Sequence, residues 1–336
     1  PDPVAVHAAG RRIRLDFPPQ GQGRRPFAGR RLRDSLIAAT GAQKDTRDGI
    51  VAGLIAYTMW GVLPVYFKAV ETVPAIEVLL HRVIWAVPFG ALIIFMRRQW
   101  PEVKRALTHR EMLWWLIASA ILIAINWYIY IVAVQTGRIF QASLGYYINP
   151  LIFVLAGVLF FGERLGRLQK GAVVLAAIGV LILTFSGGEF PWIALSLGTS
   201  FAFYGVIRKR VVIGATPGLF VETLILMPIA ILWLGWMMAA GEASFTTASP
   251  GMLTLLLAAG PITVVPLVMF AVAARRLDLS TVGFMQFLAP SMQFATGVYY
   301  GEQLTLPRII CFACIWAAVV LFSADAIGQQ KKRASA

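Results

Sequence analysis

From Ile50 onward the sequence is a succession of apolar runs, each about long enough to cross a lipid bilayer. A transmembrane helix needs about 20 mostly apolar residues. Helices are expected because an isolated strand would leave its backbone groups without partners in lipid. We predict an all-α integral membrane protein with ten transmembrane helices, over residues 50–67, 76–96, 112–134, 139–161, 171–187, 190–207, 218–240, 252–274, 279–300 and 308–327.

The composition agrees with this prediction, because 58% of the residues are hydrophobic and only 14% are charged. Soluble domains are about 45–50% apolar and about 25% charged. A chain this apolar cannot cover its hydrophobic surface by folding into one or two soluble domains. A cytosolic enzyme, a disulfide-rich secreted domain and a disordered chain are therefore excluded.

The formal net charge of +14 indicates orientation and not a nucleic-acid partner. Basic residues concentrate in alternate loops and in the C-terminal tail: Arg97, Arg98, Lys104, Arg105, Arg110, Arg164, Arg167, Lys170, Arg208, Lys209, Arg210, Arg275, Arg276, Lys331, Lys332 and Arg333. The intervening loops carry at most Lys68, Arg138 and Arg308. Cytoplasmic loops of bacterial inner-membrane proteins carry such an excess of basic residues. We therefore predict that the protein lies in the bacterial inner membrane with both termini in the cytoplasm.

The two ends of the chain differ from the apolar part. Residues 1–48 contain ten of the thirty Lys and Arg residues and no apolar periodicity, so we predict a disordered basic tail there. We expect part of this tail to be a start-site artefact. Residues 329–336 form a second, short basic tail. Cys311 and Cys314 lie within an apolar run, so we interpret them as small helix residues and not as a metal or redox site.

The two halves of the apolar part are related by a shift near 140 residues. Pro88 and Pro228 are 140 positions apart, as are Pro150 and Pro290, and Gly283 follows Gly145 by 138. We therefore predict two five-helix repeats, over 49–187 and 188–328. Because five is odd, the second repeat enters the membrane inverted, an arrangement typical of secondary transporters.

Several segments carry a family resemblance: AYTMWG at 56–61, HRVIW at 81–85, ASLGYYINP at 142–150, GER at 162–164, FAFYG at 201–205 and LSTVGF at 279–284. The chain from about Gly49 to Ala326 resembles the EamA-type permeases of the drug/metabolite transporter superfamily, and within them the RarD subfamily. The resemblance implies an inner-membrane permease of ten helices in two EamA repeats. It leaves the natural substrate open, and residues 1–44 fall outside it.

Few ionisable residues lie inside the predicted spans, namely Glu77, His81, Arg82 and Glu222. Such groups cost about 2.5–3.5 kcal/mol at a helix centre, so they usually face a cavity or a partner. Arg82 and Glu222 occupy equivalent repeat positions, roughly 15 Å apart along the membrane normal. We predict that they mark the outer and inner ends of one substrate pathway. Alternatively, Arg82 reaches the outer interface and Glu222 bonds a neighbouring helix.

Proton coupling is a separate hypothesis for Glu77, His81 and Glu222, since histidine titrates near physiological pH. A purely structural role is the alternative. The candidate pathway residues are Trp60, His81, Arg82, Asn126, Tyr146, Asn149, Tyr204, Glu222 and Gln286. Two further uncharged polar residues, Gln141 and Gln293, lie within the same predicted spans as Asn149 and Gln286. Aromatic lining suits a flat amphipathic solute. Pro88, Pro150, Pro228 and Pro290 are candidate gating kinks, although static kinks are the alternative.

We predict a secondary transporter of a small metabolite or drug-like compound, working by alternating access. An intramembrane enzyme and a receptor-like or structural membrane protein are the competing hypotheses. The sequence has no nucleotide-binding or hydrolase motif, so we expect no catalytic residues, cofactor or metal. The fifth and tenth helices carry small residues and few polar ones, which predicts a scaffold or a homodimer contact there.

Overall fold

The computed structural model describes residues 28–161, 166–187, 190–277 and 279–334. The GER segment at 162–164 and residues 1–27 of the predicted tail lie outside them. The chain divides into two units, Pro1–Asp45 and Thr46–Ala336, and the second contains the helices discussed below. The described helices are α1 (Ala28–Gly61), α2 (Leu63–Ala69), α3 (Ala75–Met96), α4 (Trp100–Thr108), α5 (Arg110–Gln135), α6 (Ile139–Phe161), α7 (Arg167–Gly187), α8 (Trp192–Arg210), α9 (Ala215–Ala239), α10 (Pro250–Arg276), α11 (Leu279–Met285), α12 (Leu288–Tyr299) and α13 (Leu306–Ala334), with a 3₁₀ turn at Ser244–Thr246.

Seven helical segments of the described residues are long and apolar enough to cross a membrane: Asp45–Ala69, Ala75–Met96, Arg110–Gln135, Arg167–Ser186, Ala215–Ala239, Pro250–Arg276 and Leu306–Asp325. The described part of the chain is therefore that of a multi-pass membrane protein. The three other predicted spans coincide with α6, with α8 and with the α11–α12 pair. The count of ten spans in two inverted repeats stays a prediction.

Two of the predicted spans are interrupted. The first ends as α1 at Gly61 and resumes as α2 at Leu63, with Pro64 in the first turn of α2. The ninth is divided at Gln286 and Phe287, ahead of Pro290. Proline lacks the N–H that would bond the carbonyl four residues earlier, and its ring clashes with that carbonyl. The break at Gln286 therefore falls four residues before Pro290, which is the predicted kink residue.

The other three predicted kink prolines, Pro88, Pro150 and Pro228, lie inside the continuous helices α3, α6 and α9. Residues 28–48, which belong to the predicted basic tail, are helical and form the first part of α1. Alanine, leucine and arginine have high helix propensity, and residues 28–39 are rich in all three. The absence of an apolar pattern there therefore did not exclude a helix.

Helices α3 and α5 hold the centre of the described bundle. Helix α3 packs against α9 and α10, and α5 packs against α8 and α9. Helix α6 lies between α8 and α12, while α7 and α13 pair with each other through the buried side chains of Ala172, Ala176, Cys311 and Ile315. The pairing of α7 with α13 sets these two helices beside the central ones. It leaves apolar residues such as Val174 and Val320 exposed.

Contacts between loops define two ends of the bundle, named here by the predicted orientation. At the outer end, the Gln135 side chain donates to the Val70 and Val73 carbonyls, and the Glu302 carboxylate accepts from the backbone N–H groups of Ile139 and Phe140. At the inner end, the Gly214 N–H donates to Glu102, 3.1 Å away. The predicted outer loops thus contact one another, as do the predicted inner loops.

Candidate functional site

Arg82 is buried inside the bundle among aromatic side chains. It lies on α3, and its side chain is 7% exposed. Its Nε donates to the Thr263 hydroxyl on α10, at 2.9 Å. The guanidinium carbon lies 4.0 Å from the centre of the Trp127 ring and 5.8 Å from that of Phe67. Such cation–π contacts partly replace the lost hydration of a buried cation.

No carboxylate of the described residues lies within ion-pair distance of Arg82. Three tyrosines continue this group: the rings of Tyr66 and Tyr130 lie 5.1 and 5.8 Å from that of Phe67, and the Tyr146 ring lies 5.6 Å from that of Tyr130. The Tyr66 hydroxyl donates to the Leu255 carbonyl, whereas the buried Tyr130 hydroxyl has no hydrogen-bond partner among the described residues. We call Arg82, Phe67, Trp127, Thr263 and these three tyrosines the Arg82 cluster.

Glu222 forms a second buried cluster toward the inner end. The Ser119 hydroxyl on α5 donates to Glu222 Oε1 at 2.6 Å, and the Tyr204 hydroxyl on α8 donates to Oε2 at 3.2 Å. Arg208, also on α8, places Nη1 3.7 Å from Oε1. We call these four residues the Glu222 cluster. Because its members lie on α5, α8 and α9, the cluster joins three helices around one carboxylate.

A glycine makes room for the arginine of this cluster. A Cβ atom added to Gly218 on α9 would overlap the Nη1 and Nη2 atoms of Arg208. Real side chains never approach so closely, so any larger residue at 218 displaces the guanidinium. The Arg208 Nη2 atom donates to the Gly214 carbonyl at 3.3 Å, which fixes its orientation.

A series of aromatic rings joins the two clusters. Successive ring centres are 5.8 Å apart from Phe67 to Tyr130, 5.6 Å to Tyr146, 6.3 Å to Phe201 and 5.9 Å to Tyr204. The first ring contacts Arg82 and the hydroxyl of the last binds Glu222. We call these five rings the aromatic series. The structure keeps Arg82 and Glu222 out of contact with each other, each with its own partners.

Glu77 and His81 lie on α3 near the outer end. The fully buried Glu77 carboxylate accepts from the backbone N–H groups of Ser244 and Phe245, at 2.9 and 2.8 Å. His81 Nδ1 accepts from the Trp85 indole N–H at 3.2 Å, and Nε2 lies 3.9 Å from Glu77 Oε1. Glu77 therefore fastens the α9–α10 loop to the start of α3.

The remaining predicted residues take different positions. Asn126 donates to the Leu197 carbonyl and to Ser200, which ties α5 to α8. Trp60 packs against Tyr57 and Phe270, and its carbonyl accepts from Gln293. The Oδ1 atom of buried Asn149 has no partner among the described residues. Gln286 is exposed at the α11–α12 break, and Gln141 accepts from the Ile193 N–H.

Comparisons with known proteins decide the family. The model of the EamA-like transporter family matches residues 47–185. The chain is 43% identical to an uncharacterized transporter of Vibrio cholerae over 87% of this chain and 98% of that protein. It is also 43% identical to the protein RarD of Escherichia coli, over 86% of this chain and 98% of that protein. The chain belongs to the EamA-like transporter family.

Within this family its relatives include proteins named RarD, so the chain is a RarD-like membrane transporter. A solved crystal structure shares the fold, with a TM-score of 0.54 at 17% identity, over 81% of this chain and 94% of that one. Within the described residues of this EamA-like protein, no three His, Cys, Asp or Glu side chains gather to hold a metal ion.

Sequence reasoning missed several residues of the two clusters in this EamA-like protein. Arg208 was counted as a loop charge, although it reaches back to Glu222. Ser119, Trp127 and Tyr130 gave no signal, because a single serine or aromatic residue in an apolar run is ordinary. Glu302 was not singled out either, although Gly301-Glu302 repeats the Gly162-Glu163 pair at a shift of 139.

Proposed function

We propose that this EamA-like protein is a secondary transporter that carries a small, flat, amphipathic solute across the bacterial inner membrane by alternating access. The observation that carries the proposal is the aromatic series, which joins a buried cation near the outer end to a buried carboxylate near the inner end. Three rings of the series, those of Tyr146, Phe201 and Tyr204, are only partly buried, and so is the neighbouring ring of Tyr66. A flat solute would therefore meet aromatic faces along the whole route.

The proposed architecture is ten spans in two inverted repeats, with both termini in the cytoplasm. The two sets of loop contacts support the alternation of successive loops between two ends of the bundle, and the excess of basic residues in alternate loops supports the assignment of the cytoplasmic end. Fluorescent-protein fusions at the C-terminus test it, because they fluoresce only when the terminus is cytoplasmic. Alkaline-phosphatase fusions within residues 241–249 should be active, and inactive fusions there would contradict the proposed orientation.

An asymmetry between repeat-related glycines supports alternating access. A Cβ atom on Gly145 of α6 would lie 2.9 Å from the Ala194 carbonyl oxygen of α8, so this crossing near the outer end is tight. Its repeat counterpart, Gly283 on α11, has no described atom within 4 Å of that position. In an inverted-repeat transporter the two crossings exchange between states. We propose that the described state is tight at the outer crossing and looser at the Gly283 face of the inner one, where α1 still contacts α11 through Tyr57 and Val282.

Proton coupling is proposed at Glu222 and not at Glu77 or His81. The Glu222 charge is surrounded by Ser119 from α5 and by Tyr204 and Arg208 from α8. Adding a proton removes the attraction to Arg208 and so loosens the contact between α9 and α8. Glu77 instead holds two backbone N–H groups, and His81 Nδ1 already accepts a hydrogen bond.

Flux into proteoliposomes tests the proposed function. The purified full chain is reconstituted, and uptake from a broad mixture of small metabolites is followed by mass spectrometry with and without a pH gradient. We expect selective accumulation that the gradient enhances. The Glu222→Gln protein should lose the enhancement, whereas Glu77→Gln and His81→Asn proteins should keep it. Product formation without uptake would favour an intramembrane enzyme, and the absence of both would contradict transport.

A homodimer through α7 and α13 is a further proposal, supported by their exposed apolar faces. Phe185 on α7 is 81% exposed and Val320 on α13 is 66% exposed. Cross-linking in native membranes between cysteines at these two positions tests it. A monomeric protein in lipid nanodiscs with full transport activity would show that transport does not depend on the contact.

A further inference from the structure

We propose that the transported solute carries a carboxylate, and that Arg82 and Tyr130 bind it. The inference rests on the proposed transport function and adds the chemical class of the substrate. It starts from an imbalance of charge, since Arg82 is buried and has no acidic partner among the described residues. A buried arginine without a counter-ion pays a desolvation penalty that an anionic ligand would offset.

The donors of Arg82 are only partly used. A guanidinium has five N–H groups in a planar fork. Among the described residues, this side chain donates one hydrogen bond, from Nε to the Thr263 hydroxyl. The Thr263 hydroxyl in turn donates to the Ala259 carbonyl at 2.7 Å, which holds the acceptor in place. The fork is thus fixed at one N–H group, and the rest remain for a planar two-oxygen acceptor such as a carboxylate.

The Tyr130 hydroxyl supplies a second, independent observation. The Tyr130 side chain is 2% exposed, and its hydroxyl has no partner among the described residues. A buried hydroxyl without a hydrogen bond costs free energy, so such groups are usually paired. The Phe67 ring lies 5.8 Å from the Arg82 guanidinium carbon and 5.8 Å from the Tyr130 ring, so the two donors flank the same ring. A ligand oxygen there would satisfy both.

The surrounding rings define the rest of the solute. Trp127 lies against one face of the guanidinium, and the Tyr146 ring continues from Tyr130 toward Phe201. A solute whose carboxylate binds Arg82 would lay its body along these faces. The favoured class is therefore a small organic acid with a flat, apolar body. An inorganic anion would use the same donors but not the rings.

Paired acids and amides test the inference at equilibrium. The probes are benzoate and phenylacetate with their neutral amides, plus chloride, added to the purified full chain. Trp127 lies 4.0 Å from Arg82, so its fluorescence should report binding, and a Trp127→Phe protein identifies its share of the signal from ten tryptophans. We expect at least one acid to bind roughly 10–100-fold more tightly than its amide, as for a hydrogen bond to a charged group.

The variants separate recognition from folding. Arg82→Gln should bind acid and amide equally, and Arg82→Lys should keep part of the preference. Tyr130→Phe, which removes only a hydroxyl, should weaken acid binding about tenfold and amide binding by less, because a hydrogen bond to a charged acceptor is the stronger one. Arg110→Gln removes an exposed arginine and should change nothing. Gel filtration and thermal unfolding show whether each variant is folded.

Equal binding of acids and amides by the wild type would overturn the inference. So would an unchanged acid preference in folded Arg82→Gln protein, or binding of chloride with the same affinity as the acids. Selective acid binding without any flux would contradict the transport proposal and support the carboxylate site. Flux restricted to neutral or cationic solutes would support the transport proposal and contradict the carboxylate site.

Discussion

Glu77 and Glu222 are both fully buried carboxylates, yet their partners give them different tasks. The oxygens of Glu77 accept from two backbone N–H groups of one loop, which cannot change protonation state or move far. Those of Glu222 accept from two side-chain hydroxyls and face an arginine, and these three side chains lie on two other helices. Protonation of Glu77 would release a loop, whereas protonation of Glu222 would release a contact between helices.

We predict that Glu77→Gln lowers the free energy of unfolding by about 1–3 kcal/mol, because one buried N–H group loses its acceptor. Denaturant unfolding in detergent micelles measures the change. Glu71→Gln is the matched control, since Glu71 forms an exposed pair with Lys68 and such pairs contribute at most about 1 kcal/mol. Loss of the pH dependence of transport in Glu77→Gln would instead assign proton coupling to this residue.

The sequence was sufficient to single out Arg82 and Glu222, because ionisable residues are rare and costly within apolar spans. Their partners were not predictable. Trp127 and Tyr130 are two among many aromatic residues of the spans, and their role depends on which faces of α3 and α5 meet. Arg208 follows a span at its predicted inner end, where the same pattern equally predicts a simple loop charge. Side-chain packing, and not periodicity, decides these contacts.

At the scale of helices, the spacing of prolines and glycines predicts a repeat, but it does not predict a difference between the two halves. Gly145 and Gly283 are equivalent in sequence, whereas a Cβ atom would meet α8 at one and open space at the other. The division of α11 from α12 likewise follows from Pro290, although the equivalent Pro150 lies inside one continuous helix. Equivalent residues thus occupy different conformations, which a sequence repeat cannot reveal.

We predict that Gly283→Leu stops transport and leaves stability unchanged or raised. Open space accommodates the side chain in the described state, and leucine favours a helix over glycine by up to about 1 kcal/mol. The added side chain should prevent the inner crossing from closing. Proteoliposome uptake and thermal unfolding measure the two effects. Gly171→Leu, at another open glycine on α7, should keep uptake, and retained uptake in Gly283→Leu would contradict the exchange of crossings.

Glu302 gives a pH-dependent prediction at the outer end. Burial raises the pKa of this carboxyl above its ordinary value of 4.5, although the Phe140 and Ile139 N–H groups oppose the shift. The folded state therefore holds its proton to higher pH than the unfolded state does. Stability from this group is present at low pH and is lost as pH rises from 4.5 through the raised pKa.

The melting temperature of the wild type relative to Glu302→Gln should therefore fall as pH rises across that window and level off above it. The comparison of the two proteins cancels the titration of the other groups. A difference that instead grows in favour of the wild type with rising pH would show that the ionised carboxylate stabilises the α6 N-terminus.

At the scale of the whole molecule, the apolar runs and the alternating basic loops predicted the class of protein. The family resemblance then predicted its relatives, and the comparisons confirmed both the EamA-like family and the RarD-like relatives. The described residues supply seven apolar helices of spanning length, so ten spans and the inverted repeat stay predictions. What a single sequence cannot supply is the conformational state, because both states of a transporter share one sequence.

The coupling of the two ends is the central claim, and distances between spin labels in nanodiscs test it without any solute. One pair, at Arg138 and Trp192, reports the outer crossing, and a second, at the exposed Ile50 and Phe284, reports the inner one. Cys311 and Cys314 are first replaced by alanine.

Gly145→Leu should force the outer crossing apart because the Ala194 carbonyl blocks its side chain. We predict that the outer distance lengthens while the inner distance shortens, with Gly171→Leu changing neither. A longer outer distance with an unchanged inner one would contradict alternating access.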